Sequence, residues 1–216
     1  AFRMLPEKIW NYPAFGTLNL HASLLPQYRG AAPINHAIIN GETETGVTTF
    51  FLKHEIDTGD IIQQKKTVIS DTENAGQLHD RLMIIGAELI LETVKNIESN
   101  NNHPIPQPQL TNLKKAPKIF RDNCRINWSK SPDEIYNLIR GLSPYPVAWT
   151  MFKNKILKSP PLFLFKIILS KSLLYVSTSF NFISFSALFN ISIIPFDINL
   201  VESLSWQIKN LKLPSL

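Results

Sequence analysis

Glycine disappears from the last third of this 216-residue sequence, because all eight glycines lie between Gly16 and Gly141. Soluble proteins carry about 7% glycine, so a stretch of this length normally contains several. Arginine and histidine also end early, at Arg140 and His103. We therefore expect the sequence from residue 153 onward to be built differently from the part before it.

Acidic residues are scarce in the same tail, which holds only Asp197 and Glu202 against seven lysines. That excess accounts for the whole formal net charge of +5, so residues 1–152 are neutral overall. The net charge therefore does not indicate nucleic-acid binding by residues 1–152. A local basic cluster remains, which a solvated linker and a nucleic-acid contact explain equally well: Lys114, Lys115, Lys118, Arg121 and Arg125.

A single cysteine, Cys124, excludes an intrachain disulfide and fits a reducing compartment, so we expect a cytoplasmic protein. No reactive-cysteine pattern surrounds it, and we interpret it as structural. The sequence opens at Ala1 with no charged start followed by an apolar core, so it shows no signal peptide. We expect that its N-terminus is incomplete.

Strand and helix signals alternate in the first hundred residues. Apolar runs predict strands at 17–21, 46–52 and 66–69, and helical spacing predicts a helix at 32–40 that stops at Gly41. Because strands alternate with helices, the pattern favours an α/β layer with parallel strands.

The longest predicted helix follows Asn74, which can form a reciprocal cap with Gln77. Prolines then make 100–117 a linker without regular structure. A shorter helix follows the cap signal Ser131-Pro132-Asp133-Glu134 and stops at Gly141. The core-facing stripe of the long helix is predicted to be Leu78, Leu82, Ile85 and Leu89.

Three polar residues are candidates for chemistry: Asn19, His21 and Asp57. Asn19 and His21 are two apart on a predicted strand, so their side chains share one face, and strand carboxyl ends in an α/β sheet open onto a ligand crevice. An amide can donate to a developing oxyanion, an imidazole can exchange a proton, and a carboxylate can hold that imidazole or a water. Taken alone, Asn-x-His on a strand is more often a hydrogen-bonded edge pair, and Asp-x-Gly is a common turn.

A longer ordered pattern surrounds these residues. Residues 19–33, NLHASLLPQYRGAAP, closely resemble the signature of the formyltetrahydrofolate-dependent transferases. The segments 38–42, 44–48 and 57–62 follow in that family's order. Agreement over so many ordered positions is far more specific than one short motif. The resemblance to the family extends over roughly residues 1–152.

The resemblance implies roles for the matching residues and 10-formyltetrahydrofolate as co-substrate, with no metal. Asn19 and protonated His21 would stabilise the oxyanion of a tetrahedral intermediate. Asp57 would position the proton-relaying group. The loop that contacts the folate in the family is matched by Ser23, Leu24, Leu25 and Pro26.

Within the family, the sequence is most similar to the branch that formylates the α-amine of methionine on initiator tRNA and so supports translation initiation. The Gly-Ala-Ala-Pro-Ile run at 30–34 indicates that branch, as do 125–129 and 144–149. Asn127 stands where that branch usually has Asp, a change we interpret as peripheral. The implied partners are initiator methionyl-tRNA and the folate co-substrate, for a monomeric enzyme without a membrane partner.

Two alternatives stay open for the function. One is formyl transfer to another amine, such as that of a nucleotide sugar. The other is a catalytically dead fragment that retains the fold and binds folate or tRNA weakly. The expected loss of N-terminal strands and the altered second domain make the second alternative a serious one. A parallel sheet without its first strands would expose unpaired edges and apolar faces.

The expected organisation has four parts. Residues 1–99 form the C-terminal part of a Rossmann-like α/β formyltransferase domain, 100–118 a linker, 119–152 the start of a small OB-like β-barrel domain, and 153–216 an atypical tail. We interpret the tail as the product of a shifted reading frame or an assembly error. Its uncharged stretch 172–196 is long enough to span a bilayer, but its serines and asparagines argue against a membrane helix.

Several further residues have competing interpretations. Arg29 either meets a phosphate or the tRNA end, or braces its loop. His36 lies on a predicted helix, and we expect it at the protein surface or in the core rather than in a functional role. His54 and Glu55 lack a third ligand at recognisable spacing, so we expect no metal there. The aromatic residues expected in the core of the second domain are Trp128 and Trp149.

Overall fold

A computed structural model describes residues 5–152 and 154–158 as a mixed α/β structure. In chain order, the described strands are β1 (Leu18–His21), β2 (Arg29–Gly30), β3 (Glu44–Phe51), β4 (Ile61–Val68), β5 (Lys115–Ala116), β6 (Trp149–Phe152) and β7 (Lys155–Lys158). The described helices are α1 (Glu7–Trp10), α2 (Pro33–Ile39), α3 (Ala75–Glu98) and α4 (Pro132–Gly141), and a 3₁₀ turn covers Arg121–Cys124.

The main sheet has the order β1-β3-β4, and both of its strand pairs are antiparallel. The prediction of parallel strands is therefore wrong for this sheet. The connection 52–60 is too short for the crossover that parallel neighbours need, so β3 turns back directly into β4. In the register of β1 with β3, Asn19 lies opposite Phe50 and His21 opposite Thr48.

Helix α3 covers the sheet with the predicted leucine stripe. Leu78, Leu82 and Leu89 are buried in the core, while Ile85 packs against it partly exposed. The predicted cap is present. The backbone N–H of Gln77 donates to Asn74 Oδ1 at 2.9 Å, and the backbone N–H of Asn74 donates to Gln77 Oε1 at 3.0 Å. The helix therefore begins where the local sequence predicts.

Helix α4 begins at the predicted Ser131–Glu134 capping box and packs against α2. The two helices approach closely at Gly141, where a Cβ atom would lie 2.6 Å from Ile39 Cγ1. The side chain of Asn35 donates to the Gly141 carbonyl at 2.7 Å. Gly141 is therefore both the predicted helix end and the point that lets the helices touch.

The segment 100–118 was predicted to lack regular structure, and this prediction is only partly correct. Its end forms β5, which pairs in parallel with β2. Ile105, between two prolines, exchanges two 2.8 Å backbone hydrogen bonds with Ile61. Ile105 can do so because, unlike its proline neighbours, it retains an N–H donor. The linker is thus attached to both the main sheet and the loop after β1.

The described C-terminal part ends in the antiparallel pair β6 and β7. The rest of the predicted barrel, the part of the atypical tail from residue 159 onward and its stretch 172–196 lie outside the described residues. Among the described helices, none combines the length and apolar character that crossing a membrane requires.

The prediction that Trp128 and Trp149 are core residues is wrong, since both side chains are half-buried. The indole N–H of Trp128 donates to Thr150 Oγ1 at 2.9 Å, and that of Trp149 donates to the Arg121 carbonyl at 2.8 Å.

We predict that Leu78→Ala lowers the free energy of unfolding by about 2–5 kcal/mol, because the fully buried side chain would leave a cavity. Leu91→Ala is the matched control on the same helix, since Leu91 is 57% exposed and the change should cost within about 0.5 kcal/mol. Urea unfolding of both variants measures the difference. Equal losses would contradict this assignment of the core.

Candidate active site

The imidazole of His21 lies at the end of β1 and is only 7% exposed. Its Nε2 is 2.8 Å from the backbone carbonyl oxygen of Tyr28. Because a carbonyl oxygen only accepts, Nε2 must carry the proton in this contact. The other ring nitrogen, Nδ1, faces Oδ2 of Asp57 at 3.7 Å. In the neutral ring, Nδ1 is therefore the atom that can take up a proton.

Asp57 reaches this position from the turn between β3 and β4. Its backbone has φ 56°, in the left-handed region, and its Oδ2 accepts a hydrogen bond from the Gly30 N–H at 3.0 Å. The turn lies directly on β3 at Gly59, where a Cβ atom would be 1.5 Å from the Phe51 carbonyl oxygen. Glycine is therefore required at 59 for this turn to return the carboxylate to His21.

Asn19 lies on the same face of β1, two residues before His21, but its side chain is exposed. Its Oδ1 accepts a hydrogen bond from the Leu20 N–H at 3.0 Å. Within the described part of the chain, its amide nitrogen makes no hydrogen bond and can donate to a ligand. The structure thus brings His21 and Asp57 together and places Asn19 on their side of the strand without direct contact to either.

The predicted folate loop is held tightly by its own contacts. Ser23, Leu25 and Pro26 are buried, and the Ser23 hydroxyl donates to the Gln27 carbonyl at 2.6 Å. The Leu25 N–H donates to Thr48 Oγ1 at 3.2 Å. Of the four residues, only Leu24 keeps a half-exposed side chain. Folate contact by this loop remains a prediction, and it would involve Leu24 and backbone groups.

Tyr28 is a residue of the site that the sequence interpretation did not single out. It has φ 61°, its carbonyl oxygen accepts from His21 Nε2, and its phenol donates to Glu42 Oε1 at 2.5 Å. Asn40 Nδ2 donates to the phenol oxygen at 3.1 Å, and Lys114 forms an ion pair with Glu42. No local pattern signals this role, because the partners come from distant parts of the chain.

Burial and the contact with Glu42 raise the pKa of Tyr28 well above its usual value, so the phenol stays a donor. Burial would raise the pKa of Glu42 as well. Hydrogen bonds from Lys114 and Tyr28 outweigh that effect and lower the pKa of Glu42, which keeps it ionised at neutral pH. The neutral phenol of Tyr28 therefore donates to an ionised Glu42, which also pairs with Lys114.

Several secondary candidates take structural positions. Arg29 donates to Gln107 Oε1 from Nε at 3.1 Å and from Nη2 at 2.6 Å, which supports the loop-bracing alternative. His36 Nε2 is 3.0 Å from the Pro117 carbonyl oxygen. Cys124 is buried, and burial raises the pKa of its thiol, which fits a structural role.

Several residues of the basic cluster have partners within the protein. In the cluster, Lys114 pairs with Glu42, and Arg121 and Arg125 lie over the Trp149 ring at 5.7 and 5.6 Å. In the region that the structure describes, no three His, Cys, Asp or Glu side chains are grouped as metal ligands would be.

Comparison with known proteins gives consistent results along the chain. A family model described as formyl transferase matches residues 2–94, and one described as formyl transferase, C-terminal domain, matches residues 118–172. The methionyl-tRNA formyltransferase of Phocaeicola vulgatus is 63% identical over 154 residues, covering 69% of this chain and 48% of that protein. That of Bacteroides thetaiotaomicron is 60% identical over 153 residues, with the same coverage of 69% and 48%. The chain thus spans about half the length of the curated relatives it matches.

Solved structures with the same fold include an N-formyltransferase from Helicobacter canadensis in complex with folinic acid and dTDP-3-aminofucose. It is 27% identical with a TM-score of 0.57, covering 63% of this chain and 51% of that one. HypX from Aquifex aeolicus in complex with tetrahydrofolic acid is 22% identical with a TM-score of 0.62, covering 72% and 27%. Two models of one family match the N-terminal and the C-terminal part of the chain, and the curated relatives carry the same family name. The chain therefore belongs to the formyl transferase family.

Proposed function

We propose that this chain carries the acyl-transfer centre of a methionyl-tRNA formyltransferase. The reaction moves a formyl group from 10-formyltetrahydrofolate to the α-amine of methionine esterified to initiator tRNA. The main support is the pair of buried His21 and half-buried Asp57 on the side of β1 that carries the exposed amide of Asn19, in a chain that is 63% identical over 154 residues to a protein of that name. Since the chain spans about half of its curated relatives, the activity of the whole enzyme is part of the proposal.

The proposed reaction begins when the α-amine nitrogen attacks the formyl carbon. A carbon–nitrogen bond forms, and the carbonyl oxygen takes up the electron pair as a tetrahedral oxyanion. The bond between that carbon and N10 of the folate then breaks. The proton lost by the amine passes to N10, so tetrahydrofolate leaves as a neutral amine and no external acid or base is consumed.

His21 and Asp57 are suited to that proton transfer. With Nε2–H committed to the Tyr28 carbonyl, Nδ1 takes the proton from the amine and later returns it to N10. The Asp57 carboxylate, 3.7 Å away, stabilises the imidazolium that forms in between. The two atoms are too far apart for a direct hydrogen bond, but one substrate atom can lie close to both.

Asn19 supplies the oxyanion donor in this proposal. Its Oδ1 is already bonded to the Leu20 N–H, so the orientation of the amide is fixed with its NH₂ group available. A donor oriented before the reaction requires little reorganisation as negative charge develops on the formyl oxygen. The imidazolium of His21, on the same face of β1, would add a positive charge next to that oxygen.

The co-substrate in this proposal is 10-formyltetrahydrofolate, held in part by the loop of Ser23, Leu24, Leu25 and Pro26. The rigid packing of that loop supports a preformed binding surface, with Leu24 as the half-exposed apolar contact. Two of the solved relatives are complexes with folinic acid or tetrahydrofolic acid, which favours a folate here. We further propose a monomeric cytoplasmic enzyme with initiator tRNA as its macromolecular partner.

We predict that Asn19→Ala lowers kcat by about 10²–10³-fold, the usual loss when one oxyanion donor is removed. His21→Ala should abolish measurable transfer, because the proton acceptor is lost. Asn11→Ala is the matched control, an exposed asparagine outside the site. Transfer of radiolabelled formyl groups to charged initiator tRNA by the full chain measures all three. Near-normal turnover by either site variant would refute the assignment.

A panel of acceptors tests the specificity of the reaction. We predict that charged initiator tRNA is formylated and that amino sugars linked to a nucleoside diphosphate are not. Preference for the amino sugar would replace the proposed acceptor with one like the dTDP-3-aminofucose in the Helicobacter canadensis complex. A folded chain that binds folate but formylates neither acceptor would support the alternative of a catalytically dead fragment.

A further inference from the structure

We infer that Gln107, in the segment 100–118, is a positioning residue for the candidate active site. The inference rests on the proposed function, because it assigns Gln107 to the geometry of the same site. It also changes the role of the segment, which sequence patterns indicate only as a linker. Gln107 belongs to neither the predicted trio nor the predicted folate loop, and its side chain makes no hydrogen bond to His21 or Asn19 in the described part of the chain.

The side-chain amide of Gln107 makes four hydrogen bonds. Its Nε2 donates to the backbone carbonyls of Asp57 at 2.9 Å and Gly59 at 2.8 Å. Its Oε1 accepts from Arg29, from Nε at 3.1 Å and from Nη2 at 2.6 Å. A primary amide has two donor hydrogens and two acceptor lone pairs, so all of its hydrogen-bonding capacity is used. Its orientation is consequently fixed.

Both sides of that bridge act on the Asp57 carboxylate. On one side, Gln107 holds the backbone of the turn in which Asp57 has φ 56°, a conformation that non-glycine residues adopt only when other contacts stabilise it. On the other side it holds Arg29, and the N–H of the next residue, Gly30, donates to Asp57 Oδ2 at 3.0 Å. Gln107 thereby supports the Asp57 carboxylate in two ways, through the backbone of the Asp57 turn and through β2, which binds the carboxylate.

Gln107 itself is anchored by the main sheet. Two residues earlier, Ile105 exchanges its two backbone hydrogen bonds with Ile61, the first residue of β4. Gln109, two residues later, is exposed, and its side chain makes no hydrogen bond in the described part of the chain. Gln107 and Gln109 therefore offer a matched comparison, since they are the same residue type in the same segment and only Gln107 makes the bridging hydrogen bonds.

The test is the substitution Gln107→Glu, with Gln109→Glu as its control for the added charge. The new carboxylate can still accept from Arg29, but it cannot donate to the two carbonyls of the turn and repels them. We expect kcat of formyl transfer to fall about 10²-fold, the usual effect of misplacing a catalytic group by about 1 Å. The KM values for tRNA and folate should stay unchanged, because Gln107 would not contact either substrate. Equal kcat values for the two variants would overturn the inference.

A second readout is independent of activity. Hydrogen exchange of the Gly30 amide reports the bond to Asp57 Oδ2, and we expect faster exchange in Gln107→Glu but not in Gln109→Glu. Unchanged protection of Gly30 in Gln107→Glu would also contradict the role. If the unsubstituted chain transfers no formyl group, the proposed function fails while the exchange experiment still decides the inference. If circular dichroism shows that Gln107→Glu does not fold, the same comparison is made with Gln107→Ala and Gln109→Ala.

Discussion

The hydrogen bond of His21 Nε2 to a backbone carbonyl orients the imidazole, and the rest of the proposed site depends on this contact. The Tyr28 carbonyl accepts from Nε2 at 2.8 Å, so the proton-accepting nitrogen is the one that faces Asp57. Tyr28 has φ 61°, a conformation that costs about 1–3 kcal/mol for a non-glycine residue. The hydrogen bonds of its phenol with Glu42 and Asn40 help to hold the residue in this conformation.

The fold brings the second partner to this imidazole by an unexpected route. In a parallel sheet, His21 and Asp57 would meet where two strand ends lie side by side. Here β1 and β3 are antiparallel, and Asp57 returns to His21 through a turn pressed onto the Phe51 carbonyl at Gly59. Gln107 holds the outside of that turn through two backbone carbonyls. The site is thus assembled from three segments that are distant in sequence.

Local sequence signals predicted the elements well and their arrangement poorly. The capping boxes at Asn74 and Ser131 are confirmed because their partners lie three residues away. The strand direction was predicted wrongly because pairing depends on long-range contacts that alternation of elements does not encode. The residue types and the ordered pattern around them predict Asn19, His21 and Asp57 as site residues. The sequence did not point to Tyr28 and Gln107, since their contacts depend on backbone carbonyls and on partners up to 86 positions apart in the chain, from Tyr28 to Lys114.

The position of the ring proton on His21 decides whether the imidazole can act as the proposed base. Nitrogen-15 correlation spectra of the full chain, recorded at a pH where the ring is neutral, distinguish the two tautomers. We expect a proton on Nε2, donated to the Tyr28 carbonyl, and an unprotonated Nδ1 facing Asp57. A proton on Nδ1 in the neutral ring would contradict it, because His21 would then have no free base directed at the proposed reaction centre.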